Sequence, residues 1–316
     1  MGDSMSESPI EIIGLRKEYG EFIAVDGLTL SIKKNSFTGL LGPNGAGKST
    51  TLKMLTHLIN ATSGQALLNG VDVTKDPKRA LSGVGTIVET PEFYGYMSPR
   101  KTMRYIGEII GMSPESVSAQ TEEILEEVHM TKWADEPLGT FSKGMRQRIA
   151  LGQALLGDPN IVILDEPTSG LDPRGMAEVR ETLKNIRNNK DLTILMSSHI
   201  LHEVSDFCDR IALVNNGKLL VSDTIEAMES ATGKRRMIAK TREVPDERML
   251  ALVAGLDNVV SAERLGNDID LTLDMSKGDV RPQLYSDLDS LGIGIYSLFE
   301  NESLEATYLS LIKESR

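Results

Sequence analysis

The chain has 316 residues and a formal net charge of −12, with 34 Lys and Arg against 46 Asp and Glu, a balance that argues against a nucleic-acid partner, whose phosphates need clustered basic side chains. No stretch approaches the ~20 consecutive apolar residues that cross a bilayer, and the opening MGDSMSESPIE has no signal-peptide architecture, so a cytoplasmic protein is expected. The length suits two domains, and the single cysteine, Cys208, forms no internal disulfide and reads as a buried spectator.

From the N-terminus, the first strong signal is the apolar run Phe37 to Leu41, which reads as a buried strand. It leads into Gly42, Pro43, Asn44, Gly45, Ala46, Gly47, Lys48, Ser49 and Thr50, which fit the P-loop pattern G-x-x-x-x-G-K-[ST]. The glycines let backbone N–H groups turn inward around phosphate oxygens, and a helix starting near Lys48 directs its positive end at the same place. Lys48 adds a mobile positive charge for the outer phosphates, and Ser49 offers a hydroxyl to Mg2+.

A strand over Thr86 to Val88 precedes Glu89, and two helices follow without a strand between them, Pro99 to Ile110 and Pro114 to Val128. Ser142 reads as the N-cap of an amphipathic helix, Met145 to Leu155. The β-branched run Ile161 to Leu164 suits a central parallel strand, and Asp165 and Glu166 sit where it emerges. Two adjacent carboxylates at a strand end suit metal chemistry: Asp165 for Mg2+, Glu166 to polarise the water that attacks a terminal phosphorus. Asp172 reads as an N-cap for a helix from Pro173, and the strand Thr193 to Met196 precedes His199, with a further strand near Arg210. Strands and helices thus alternate over residues 10–222, which implies a parallel sheet with covered faces.

These motifs, with FSKGMRQRIALGQALL between them, resemble the ATP-binding cassette (ABC) ATPases. The family signature is usually LSGGQ; here Ser142 and Gly144 are kept, while Phe141, Lys143 and Met145 stand at the other places. The resemblance implies a P-loop NTPase fold with a helical subdomain over about 92–155, ATP and Mg2+ as ligands, and hydrolysis to ADP and phosphate coupled to transport. It also implies that Ser142 and Gly144 cover the γ-phosphate bound by a second copy or a paralogous ATPase. Tyr19 matches the aromatic that stacks on adenine, although a strand-edge role is open to it. His199 matches the switch histidine at the γ-phosphate, and Ser169 to Asp172 match the loop linking the two sites, a role Asp172 can hold besides capping. Most of the family has glutamine where this chain has Glu89, a carboxylate that binds Mg2+ more strongly than an amide or simply tolerates the position. In that respect the chain is similar to bacitracin and lantibiotic self-protection exporters. By the same resemblance, Phe93, Tyr94, Tyr96 and Met97 meet a separate membrane permease, which would hold the protein at the inner face of the membrane.

Past Asp223 the motifs stop. Strand and helix signals at Met237 to Lys240, Glu247 to Leu256, Val259 to Arg264, Ile269 to Leu273, Val280 to Leu291 and Ile293 to Phe299 give the split βαβ order of ferredoxin-like modules, with a closing helix over Ser303 to Lys313. Residues 231–316 are therefore expected to form a small α+β accessory domain without chemistry of its own. The competing function is a soluble ABC ATPase acting on a ribosome or nucleic-acid complex; such proteins usually fuse two cassettes or insert a long coiled coil, and this sequence shows neither.

Overall fold

The computed structural model describes residues 8–189, 191–230, 234–275, 278, 280–301 and 308. The chain divides into two compact units, Met1–Asp223 and Thr224–Arg316.

In the first unit, β1 (Ile10–Tyr19) and β2 (Phe22–Ile32) pair antiparallel, and β3 (Phe37–Leu41), buried at every position, runs into α1 (Lys48–Leu55). After α1, β4 (Ser63–Leu68) pairs with β1 and with β5 (Val71–Asp72), completing an antiparallel sheet of order β2-β1-β4-β5. The alternation read from the sequence did not include this sheet. Its pattern is interrupted: β1 buries Ile10, Ile12 and Leu15, Gly14 has a positive φ of 55°, and the register with β2 shifts between Ile12 and Leu15. A bulge of this kind breaks the period of two by which a strand is recognised.

The short α2 (Pro77–Ala80) precedes β6 (Val84–Ile87), after which α3 (Pro99–Ile110), α4 (Pro114–Glu127) and α5 (Lys143–Leu155) follow without a strand. Ser98 and Ser113 cap α3 and α4, accepting from Lys101 N and Ser116 N, with Pro99 and Pro114 at the first helical position, where a missing N–H is harmless. The three helices pack on one another around Met103, Ile124, Leu125, Ile149 and Leu151.

Next come β7 (Ile161–Asp165), α6 (Pro173–Asn189), β8 (Thr193–Ser198), α7 (Leu201–Phe207), β9 (Arg210–Asn215) and β10 (Lys218–Thr224). The main sheet has the order β10-β9-β3-β8-β7-β6, with β6, β7, β8, β3 and β9 mutually parallel. Helix α1 packs against β2, β4 and β7, in a core that includes Ile12, Leu40, Leu52, Leu55, Leu68, Ile163 and Leu195. Because β3, β7 and β8 are parallel neighbours, the loops at their C-terminal ends emerge on one edge, the usual place for a ligand in such sheets.

The second unit contains α8 (Ile225–Ser230), β11 (Lys234–Thr241), α9 (Glu247–Ala254), β12 (Val259–Leu265), β13 (Asp268–Asp274), α10 (Arg281–Ser290) and β14 (Ile295–Asn301). Its antiparallel sheet has the order β12-β13-β11-β14, the ferredoxin-like arrangement, with Val253, Leu284 and Leu288 of the helices in one core with Met237, Ala239, Ile269, Leu271 and Leu273. The helix expected over Ser303 to Lys313 lies outside the described residues. Among the described residues, no helix is long and apolar enough to cross a membrane.

Candidate nucleotide site

The loop after β3 is tied to the neighbouring strand by Gly42 N, which donates to the Ser198 carbonyl at 3.3 Å. Two of its glycines are sterically required. A Cβ on Gly42 would collide with the Val214 carbonyl oxygen, and one on Gly47, whose φ is 96°, with that of Ala24. No side chain caps the start of α1, so its first N–H groups remain for an anion. Lys48 is 5% exposed; its Nζ donates to the carbonyls of Gly42 at 2.8 Å and Pro43 at 3.2 Å and lies 3.7 Å from Glu166 Oε1. Burial holds the Lys48 ammonium below the usual lysine range, opposed by the nearby charges of Glu166 and Asp165.

Across from the loop, at the end of β7, Asp165 Oδ1 accepts from Ser49 Oγ at 3.0 Å and from Ser197 Oγ at 2.5 Å. Ser197 is fully buried at the end of β8 and also accepts from Glu166 N at 2.9 Å, so one hydroxyl fixes both members of the carboxylate pair. Glu166 has a φ of 44°, a left-handed conformation that costs a non-glycine residue on the order of 1 kcal/mol. Its Oε1 lies 3.2 Å from His199 Nδ1. Glu166 is thus held between an ammonium and an imidazole.

The hydroxyl of Ser49 and the carboxyl of Asp165, within hydrogen-bond distance of each other, are hard oxygen donors and suit Mg2+.

The other expected residues fall around this centre. Tyr19 ends β1 half exposed, with Lys17 Nζ 5.0 Å from its ring centroid and anchored on the Asn60 carbonyl at 2.7 Å. Glu89, at φ 80°, points to Lys53 on α1 and not to the Ser49–Asp165 pair: the Lys53 Nζ to Glu89 Oε1 distance is 2.5 Å. That hydrogen bond raises the Lys53 ammonium above the usual lysine range. Ser142 caps α5, accepting from Met145 N at 3.2 Å, and Gly144 sits where a Cβ would lie 3.1 Å from Gly175 Cα. Lys143, one of the departures from the usual signature, donates from Nζ to the carbonyls of Ser169 at 3.0 Å and Gly170 at 3.2 Å. Asp172 Oδ1 accepts from Gly175 N at 2.7 Å and so caps α6.

Four residues that the sequence did not single out take part. Ser197 joins Asp165 to Glu166, while Thr168 and Ser198 both donate to Glu203. The Ser197–Ser198 pair just before His199 was the available signal; a lone Glu203 on a helix reads as a solvated residue.

The ABC transporter family matches residues 25–169. The chain is 40% identical over 211 residues to the bacitracin transport ATP-binding protein BcrA of Bacillus licheniformis, covering 67% of this chain and 68% of that protein. It is 31% identical over 301 residues to the linearmycin resistance ATP-binding protein LnrL of Bacillus subtilis, covering 94% of this chain and 96% of that one. Among solved structures, the ATP binding subunit of an ABC transporter matches at a TM-score of 0.64 and 27% identity, over 72% of this chain and 94% of the other. The ADP conformation of another transporter's cassette matches at a TM-score of 0.61 and 26% identity, over 69% and 92%. With its P-loop and carboxylate pair at the C-terminal ends of β3 and β7, the chain belongs to the ATP-binding proteins of the ABC transporters.

Proposed function

We propose that this chain binds and hydrolyses MgATP to drive export by a separate membrane permease, with an antimicrobial peptide or drug as cargo. The observation that carries hydrolysis is the meeting of Lys48, Glu166 and His199 beside the Ser49–Asp165 pair, all at the ends of β3, β7 and β8. The P-loop N–H groups and Lys48 bind the phosphates. Ser49 and Asp165 hold the Mg2+, whose charge offsets that of the phosphates when bound. Glu166 Oε1 takes the proton of the attacking water, and His199 Nδ1 orients that carboxyl. Tyr19 offers its ring to the base, with Lys17 at one face.

Glu89 is assigned as a further oxygen for the metal: it is mostly exposed and held by one ion pair, so its carboxyl is free to exchange Lys53 for a divalent ion. Ser142 and Gly144 close over the nucleotide of a second copy or a paralogue. The permease is assigned to the groove lined by Phe93, Tyr94, Met97, Tyr105 and Ile106, next to the exposed Tyr96, and its binding would place the protein at the inner face of the membrane. In this reading residues 10–222 form the nucleotide-binding domain, about 92–155 its helical subdomain and 231–316 an accessory domain. Export of an antimicrobial compound is supported by the bacitracin and linearmycin relatives, and a lantibiotic transport ATP-binding protein of Streptococcus pyogenes is 34% identical over 221 residues.

Light scattering on the size-exclusion peak of Glu166→Gln, with and without MgATP, tests this reading. The expected result is a monomer that becomes a dimer with MgATP, with turnover reduced by about 10²-fold or more, the usual worth of a general base. Normal turnover in this variant removes Glu166 from its role, and a monomer that binds ATP without pairing overturns the composite site.

A further inference from the structure

Glu203 lies on α7, four residues past His199, and is 3% exposed. A carboxyl buried this deeply is costly unless hydrogen-bonded. Its Oε1 accepts from Thr168 Oγ1 at 2.7 Å and its Oε2 from Ser198 Oγ at 2.9 Å, and Ser198 Oγ in turn accepts from Ile200 N at 3.0 Å. Both donors are buried, Thr168 at 3% and Ser198 at 1% exposure. Thr168 follows Glu166 by two residues, and Ser198 directly precedes His199. One side chain therefore clamps the two loops whose side chains meet at the 3.2 Å contact between Glu166 and His199.

We propose that Glu203 is a positioning residue of the ATPase site, which acts through Thr168 and Ser198 to set the spacing of Glu166 and His199; this rests on the hydrolytic reading above. Each loop leaves its strand at a different point of the sheet, β7 for Glu166 and β8 for His199, and backbone pairing stops at Asp165 and Ser197. Beyond that pair, Glu203 ties the two loops through side chains. Among the described residues, the Glu203 carboxyl bonds to Thr168 and Ser198 and not to Lys48, Ser49 or Tyr19, so nucleotide affinity should be independent of it.

The test is steady-state and single-turnover hydrolysis by the full chain carrying Glu203→Ala, Glu203→Gln, His199→Ala and the pair Glu203→Ala with His199→Ala, with MgATP binding measured on each. Misplacement by an ångström costs up to about 10²-fold in rate, so Glu203→Ala should lower kcat about tenfold to a hundredfold while KM and Kd for MgATP change by less than about twofold. Glu203→Gln should recover part of that loss, because its amide oxygen still accepts from one hydroxyl. In the His199→Ala background, Glu203→Ala should add less than about twofold, since both losses run through one contact. Equal losses in the two backgrounds, or full kcat in folded Glu203→Ala, overturn the proposal. If Glu203→Ala does not fold, Thr168→Val and Ser198→Ala remove the two donors at nearly constant volume and are held to the same criteria. Glu166→Gln run alongside separates the readings: if it turns over normally the hydrolytic reading fails, whereas if it is inactive and the Glu203 variants are normal only the positioning role fails.

Discussion

At position 89, where the family resemblance leads one to expect an amide, stands a carboxylate that Lys53 of α1 meets at 2.5 Å. The pair is exposed on the Glu89 side, so screening by water keeps its worth to at most ~1 kcal/mol, about fivefold in an equilibrium. That is weak enough for a divalent cation to compete. If the carboxyl is shared between Lys53 and the metal, the two partners have opposite effects: Glu89→Gln should raise the Mg2+ concentration at half-maximal turnover, and Lys53→Ala should lower it, each by up to about fivefold. Titrating Mg2+ and then Mn2+ into both variants at fixed ATP reads this directly. Coincident midpoints for wild type, Glu89→Gln and Lys53→Ala would leave Glu89 as a tolerated replacement with no part in metal binding.

The element assigned to pairing with a second copy is α5, and its first turn is held twice. Ser142 caps it through Met145 N, and Lys143 anchors it to the Ser169 and Gly170 carbonyls. Removing the cap with Ser142→Ala should cost ~1 kcal/mol, a fall of about 2–4 °C in Tm for a unit of this size. In the Glu166→Gln background it should also shift ATP-dependent pairing to higher ATP concentration, because the same hydroxyl is assigned to the γ-phosphate. A lower Tm with unchanged pairing would confine Ser142 to capping. The elements easiest to read in the sequence were those with an unbroken pattern: β3 and β7 are continuous apolar runs, α3 and α4 open on Ser-Pro, and the second unit keeps its order of strands and helices. The β1-β2-β4-β5 sheet was missed because its bulges, its exposed Ile13, Phe22 and Ile23 and its split around α1 hide the alternation. Within the site, the motif residues were legible because phosphate chemistry demands them at fixed spacing. Glu203, the Glu89–Lys53 pair and the left-handed Glu166 were not, since each depends on residues brought together only by the folded sheet.

For the whole molecule, the two units have separate cores: Leu40, Leu52, Ile163 and Leu195 lie in one, Met237, Ala239, Leu271 and Leu284 in the other. Every residue assigned to nucleotide lies in Met1–Asp223, and the Arg210–Asp223 ion pair is internal to it. Ending the chain after Asp223 should therefore leave a folded unit with unchanged MgATP affinity, since the residues assigned to nucleotide and the core around Leu40, Leu52, Ile163 and Leu195 lie within it. The expected contribution of the second unit is to pairing or its regulation. With Glu166→Gln as the trapping background, the shortened chain should need at least about tenfold more protein to form the MgATP dimer, a loss of ~1.4 kcal/mol of association free energy. Analytical ultracentrifugation over a dilution series gives that constant for both lengths. Equal dimer constants, together with equal turnover when Glu166 is restored, would leave the second unit without a part in the ATP cycle and turn attention to the permease as its partner.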